Sequence, residues 1–120
     1  MINIDAYYLA SCSTCIRILK YLDLNEANSR LHDIKSQPMT ELEVDKMAKM
    51  AGSYEALFSR RALKFRELNL HLQTLTEPDY RNLILKEYTF LKRPVFIVGN
   101  EIFVGNSSKV IEQVKQALGS

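Results

Sequence analysis

No run of this 120-residue chain approaches the ~18 consecutive apolar residues that a membrane-spanning helix requires. The opening Met1-Ile2-Asn3-Ile4-Asp5 lacks the basic region of a secretory segment. Charge of one sign is also lacking. Sixteen Lys and Arg stand against 14 Asp and Glu, a formal net charge of +2, too small to argue for nucleic acid or a membrane surface as partner. No repeat, low-complexity tract or linker interrupts the chain. Cysteine occurs twice, at Cys12 and Cys15, and histidine twice, at His32 and His71. A four-ligand zinc site would need both histidines at spacings unlike those of finger or ribbon sites. These absences favour one cytoplasmic domain, 1–120, with no bound metal, no direct nucleic-acid contact and no membrane contact.

What is present is ordinary for a globular protein: 47% hydrophobic and 25% charged residues, in a chain long enough to bury a core without disulfide or metal staples. Residues 2–9 alternate Ile2, Ile4, Ala6 and Tyr8 with Asn3, Asp5 and Tyr7, which predicts a buried strand. A helix from about Ser13 to Leu22 follows, and 29–34 reads as a second, polar strand. Thr40 and Glu43 have the spacing of a capping box, opening a helix expected to bury Leu42, Val44, Met47, Ala48 and Met50 and to stop at Gly52. Residues 53–75 suggest short helical pieces. Thr76-Glu77-Pro78-Asp79 starts another helix, with Tyr80, Leu83 and Ile84 on one side. Pro94–Val98 and Glu101–Val104, separated by Gly99-Asn100, read as a hairpin, and a last helix from Ser107 or Ser108 presents Val110, Ile111, Val114 and Leu118. Strand, helix, strand, several helices, hairpin, helix is the thioredoxin order of elements. The expectation is an α/β fold with a mixed four-stranded sheet and a helical insertion, about 37–91, between strands 2 and 3.

Three stretches carry chemistry. Cys12 and Cys15 lie where the first strand passes into the first helix. There, unpaired N–H groups and the positive end of the helix dipole favour a thiolate. Cys12 is then a nucleophile and Cys15, one turn later, its resolving thiol; half a zinc site and two inert thiols are the competing readings. Lys92-Arg93-Pro94 precedes a strand, where a proline's missing N–H does no harm. Leu57-Phe58-Ser59-Arg60-Arg61 sets two arginines after an apolar anchor, from which a guanidinium can grip an oxyanion two-pronged. The bland alternative there is a solvated basic face.

Taken together, Cys12-Ser13-Thr14-Cys15, Phe58-Ser59-Arg60-Arg61 with Phe65-Arg66-Glu67-Leu68, Leu91-Lys92-Arg93-Pro94 and Ile102-Phe103-Val104-Gly105 resemble the arsenate reductase family of glutaredoxin-like proteins, which includes the Spx redox regulators. The resemblance implies that Cys12 is the redox-active cysteine and that Arg61 and Arg93, with Arg60 as a further candidate, bind an oxyanion. It also implies that Pro94 is cis and faces the thiol. The implied substrate is a small oxyanion or a thiol/disulfide, handled by a monomer with glutathione, glutaredoxin or thioredoxin as reductant. Two departures pull toward Spx: no arginine lies in Val104–Ser108, where glutathione-dependent arsenate reductases carry a third one, and such enzymes usually lack the second cysteine. The alternative implied is a regulator whose Cys12–Cys15 switch controls binding to the RNA polymerase α subunit.

Overall fold

The structure is a computed structural model and describes residues 3–119; Met1, Ile2 and Ser120 lie outside it, so the predicted strand is described from Asn3 onward. The chain divides into two compact units, one formed by the chain through Gln37 together with the chain from Arg93, the other by Pro38–Lys92.

The first unit is a four-stranded mixed sheet carrying two helices. β1 (Ile4–Tyr8), α1 (Ser13–Tyr21) and β2 (Arg30–Asp33) come first, then β3 (Val95–Val98), β4 (Glu101–Val104) and a last helix, Ser108–Ala117, which is α5 in chain order. The strand order is β2-β1-β3-β4. β1 pairs parallel with β2, placing Asp5 opposite Arg30 and Tyr7 opposite His32, and antiparallel with β3, placing Tyr7 opposite Val95. Parallel pairing needs a crossover, and α1 supplies it. The apolar seams of α1 and α5 (Ile18, Leu19, Leu22; Ile111, Val114) pack with Ala6, Leu24 and Phe96, and Ile4, Tyr8, Leu31 and Phe103 join from the strands. Gly99 closes the β3–β4 hairpin at φ 60°, a left-handed conformation that glycine adopts without steric cost.

β1 is buried, as expected, and on both faces: Asp5 and Tyr7, which alternate with Ile4, Ala6 and Tyr8, are 8% and 7% exposed. Asp5 is buried with its charge satisfied: Arg30 donates Nε to Oδ1 and Nη2 to Oδ2, both at 2.7 Å, and His32 Nε2 lies 2.8 Å from Oδ1. Hydrogen bonding to Arg30 outweighs burial and holds the Asp5 carboxyl below its usual range. The Tyr7 and His32 rings stack at 4.3 Å. The polarity of β2 is thus the complement of a buried aspartate on its neighbour.

The second unit is helical: α2 (Glu41–Ala51), α3 (Leu63–Glu67) and α4 (Glu77–Lys86), with single 3-10 turns at Glu55–Leu57, Leu70–Leu72 and Tyr88–Phe90. α2 opens on the capping box: Glu43 N–H donates to Thr40 Oγ1 at 3.1 Å, and Thr40 N–H to Glu43 Oε1 at 2.9 Å. It ends at Gly52, φ 101°, whose N–H donates to the Ala48 carbonyl. α4 opens similarly, Thr76 N–H donating to Asp79 Oδ2 at 2.8 Å. Phe58, fully buried, gathers the rings of Phe90 (5.0 Å), Tyr80 (4.9 Å) and Phe65 (6.0 Å). The backbone on either side of it is tied by Ser59 N–H to the Phe90 carbonyl and Lys92 N–H to the Leu57 carbonyl.

Leu42 corrects the sequence reading, being 83% exposed where burial was expected. Val44, Met47 and Ala48 define the buried face of α2, and at about 100° per residue Leu42 falls on the opposite side. Val44→Ala should therefore destabilise the protein by about 2 kcal/mol through lost burial and a cavity. Leu42→Ala should stay within about 0.5 kcal/mol of the parent. Urea unfolding followed by circular dichroism measures both, and equal shifts would contradict this assignment of faces.

Candidate thiol site

β1 ends at Tyr8, and the chain turns into α1 through a bond from Cys12 N–H to the Leu9 carbonyl, 3.0 Å. Cys12 is the N-cap residue of α1, extended at φ −93°, ψ 109°, and its carbonyl accepts the first helical bond from Ile16 N–H. That position normally carries an oxygen that satisfies the free N–H groups of the first turn. Here a sulfur occupies it, and α1 has no acidic residue in its first turn to compete.

The two thiols are driven in opposite directions. Burial pushes the half-buried Cys12 upward, but hydrogen bonds from the Cys15 backbone and thiol and from the Thr14 backbone, with the Arg93 charge, more than offset it. Its pKa lies below the ordinary cysteine value. Cys15 is fully buried, and burial pushes its thiol up to about 11. The Leu9 backbone and Arg93 act against that rise, while hydrogen bonding and repulsion from Cys12 reinforce it. The first proton lost by the pair therefore leaves the accessible sulfur, not the buried one.

Arg93 reaches the pair from the start of β3. The Arg93–Pro94 peptide bond is cis, and the Pro94 carbonyl accepts Gly105 N–H at 2.9 Å. Among the described residues Arg93 Nη1 is buried and has no hydrogen-bond partner. A buried guanidinium N–H without an acceptor is costly unless an acceptor arrives, so the group is disposed toward an anion.

Tyr8 is a neighbour that the sequence reading did not single out. Burial, then the charges of Asp33, Glu26 and Cys15, raise its phenol pKa. Its position at the C-terminal end of β1, just before the cysteines, was the available signal.

Of the predicted site residues, Cys12, Cys15, Arg93 and Pro94 belong to the sheet unit and Arg60 and Arg61 to the helical one. Within its unit Arg60 is already engaged. Its Nη2 donates to Glu55 Oε2 at 2.8 Å and to the Tyr80 hydroxyl at 2.7 Å, and the guanidinium lies 5.6 Å from the Tyr80 ring centre. Arg61 is exposed and makes no hydrogen bond or ion pair among the described residues. Of the two histidines, His32 is engaged by Asp5. No three His, Cys, Asp or Glu side chains are grouped to hold a metal among the described residues, and none of the described helices is long and apolar enough to cross a membrane.

A mixed sheet in the order β2-β1-β3-β4, with a cysteine capping the first helix, defines a protein of thioredoxin-like fold. The chain belongs to the ArsC family, which it matches over residues 7–114. Among its relatives are the global transcriptional regulators Spx 1 of Bacillus cereus, 27% identical over 111 residues (92% of this chain, 85% of that protein), and Spx 2 of Bacillus anthracis, 25% identical over 109 residues (89% and 82%). Similar solved structures include the arsenate reductase from Vibrio cholerae, at TM-score 0.77 and 15% identity, covering 97% of this chain and 98% of that one. An ArsC family related protein from Bacteroides fragilis also has TM-score 0.77, at 22% identity, covering 94% and 98%. At such identities the structural likeness establishes the fold.

Alkylation by iodoacetamide, resolved by peptide mass spectrometry across pH, should modify Cys12 in a titration centred below the ordinary cysteine value. Cys15 should stay unmodified until the pH nears 11. Arg93→Ala removes a charge that favours the Cys12 thiolate and should move that titration upward. Two thiols titrating together, or an unmoved Cys12 curve in the variant, would contradict the arrangement.

Proposed function

We propose that the chain is an arsenate reductase-like thiol oxidoreductase in which Cys12 is the nucleophile and Cys15 the resolving thiol. The observation that carries this reading is the polarised pair, an accessible sulfur favoured as thiolate beside a buried one that keeps its proton. In the disulfide reaction the Cys12 thiolate attacks a substrate disulfide. One sulfur of that disulfide becomes bonded to Cys12, and the other leaves with the electron pair. Cys15 then gives up its proton and attacks the Cys12 sulfur, expelling the second substrate thiolate and leaving a Cys12–Cys15 disulfide. Glutathione, glutaredoxin or thioredoxin, by oxidation of its own thiols, returns the pair to the dithiol. With an oxyanion, the Cys12 thiolate displaces one oxygen of the central atom, which leaves as water once protonated, and Arg93 neutralises the adduct's charge. A glutathione thiol then attacks the Cys12 sulfur, forming a mixed disulfide, and the electron pair of the broken bond reduces the central atom. The second guanidinium is assigned to Arg61 on the resemblance of Phe58-Ser59-Arg60-Arg61 alone. Dithiol chemistry of this kind suits a reducing cytoplasm.

A second reading is favoured by the two sequence relatives named above, both global transcriptional regulators. On that reading the same dithiol is a sensor, and its oxidation changes a surface that binds the RNA polymerase α subunit.

Turnover of glutathione with arsenate or a small disulfide, followed through NADPH-coupled glutathione reductase, should vanish in Cys12→Ser. Cys15→Ser should accumulate a mixed disulfide on Cys12, visible as a mass increase. Undiminished turnover in Cys12→Ser would overturn the enzyme reading. Redox-dependent capture by the C-terminal domain of the polymerase α subunit, without turnover, would instead favour the sensor.

A further inference from the structure

Among the described residues α3 is the one α-helix without a buried side chain; α1, α2, α4 and α5 each bury two or three. Five residues are too few to hold a helix in water unaided. Phe65 supplies an anchor, its ring 6.0 Å from that of Phe58 and 6.4 Å from that of His71, which brings the turn Leu70–Leu72 back alongside α3. The backbone closes the corner. Leu68 N–H donates to the Lys64 carbonyl, Asn69 N–H to the Arg66 carbonyl and Leu72 N–H to the Asn69 carbonyl.

The leucines of this corner face water. Leu63 is 81% exposed, Leu72 76% and Leu68 49%, and they make up three of the five large hydrophobic side chains exposed among the described residues. A single exposed leucine is ordinary on a protein surface; three on one short corner mark a place of contact. Charge is concentrated at the same place. The stretch from Arg60 to Leu72 holds four Lys and Arg against one acidic residue, Glu67, whereas the whole chain has 16 against 14, so the remainder of the chain carries no positive excess. Arg60 is engaged by Glu55 and Tyr80, and Lys64 lies 3.5 Å from Glu67. Arg66 is exposed and makes no ion pair or hydrogen bond among the described residues.

This combination narrows the kind of partner. A nucleic acid would use the cations but leave the leucines against water, and the one aromatic ring of α3 is already packed on Phe58, so no base can stack on it. Helices that lie in a membrane surface present a continuous apolar face over many more residues than α3 has. Leucines set among cations match a protein segment that carries carboxylates around aliphatic side chains: apolar contact forms the centre, and opposite charges at the rim fix the register. We propose that α3 and the turn after it form a docking surface for an acidic segment of another protein. Its aliphatic side chains cover Leu63, Leu68 and Leu72, and its carboxylates meet Lys64 and Arg66. The surface makes no use of Cys12 and stands apart from the thiol chemistry.

The test is a selection of short random peptides, displayed on phage, against the full chain. The enriched sequences should be rich in Asp and Glu and carry at least two of Leu, Ile, Val and Met. A synthetic peptide of that consensus, titrated into nitrogen-15-labelled protein, should shift the amide signals of 62–72 and leave those of Cys12 and Cys15 in place. Leu63→Ser with Leu72→Ser should weaken its binding about tenfold, the scale of losing anchoring side chains from an interface. Both leucines are exposed, so the fold, checked by circular dichroism, should hold. Lys64→Glu with Arg66→Glu should weaken binding to a similar extent, and salt at about 1 M, where screening acts over about 3 Å, should loosen the parent complex. Enrichment of basic or uncharged sequences, or of none, would overturn the proposal. So would a peptide held equally well by the double-serine variant, or shifts that fall outside 62–72. Sedimentation of the chain with phosphatidylserine vesicles, or a dimer that the two serines dissociate, would assign the surface to a membrane or to a second copy and overturn it as well.

Discussion

The chemistry of this molecule depends on a balance at one atom, the Cys12 sulfur. Taking a thiolate out of water costs free energy, and burial is the largest influence on Cys12. The thiolate is nonetheless favoured because β1 stops where it does. The Leu9 carbonyl holds Cys12 N–H, α1 begins one residue later, and the Thr14 and Cys15 N–H groups of its first turn favour charge on the sulfur that stands where a capping oxygen would. A serine there would complete an ordinary helix cap. With cysteine, the same backbone geometry becomes a device for lowering a pKa, and the rest of the sheet unit keeps that geometry fixed.

The supporting parts solve separate problems. Asp5 would be an intolerable buried charge on the central strand were it not met by Arg30 and His32 from β2, and its three short hydrogen bonds pin β2 against β1 in one register. Within the helical unit Phe58 and its three aromatic neighbours form the centre, while capping residues define where α2 and α4 begin. Arg60 is tied within that unit by Glu55 and Tyr80, which leaves Arg61 as the uncommitted member of the pair.

What could be read from the sequence was whatever depended on near neighbours in the chain. The Thr40/Glu43 capping box, the Gly99 turn and the apolar seams of α1 and α5 are set by spacings of a few residues, and they stand where those spacings place them. The strand–helix junction around Cys12 was legible for the same reason. Alternation identified β1 as a buried strand but not how Asp5 is tolerated there, because the partners that satisfy it are 25 and 27 residues away. Leu42 was misread because it is apolar, although its angular position excludes it from the face that Val44 and Met47 define. The internal engagement of Arg60 rests on Tyr80, 20 residues on, which no local pattern announces.

The order of strands in the sheet bears on when this protein becomes chemically active. β1 pairs with β3 across nearly the whole chain, Ile4 opposite Val98, and Arg93 enters only with that late strand. During synthesis from the N-terminus, Cys12 emerges long before the segment that carries Arg93. β1 and β2 can align early, but β1 keeps one open edge until β3 arrives. A nascent or truncated chain lacking its last quarter would therefore display the cysteine pair without the positive charge that favours the Cys12 thiolate. Arg93 is thus the last-made of the groups that favour the Cys12 thiolate, and its charge joins the cysteine pair only when the sheet is completed.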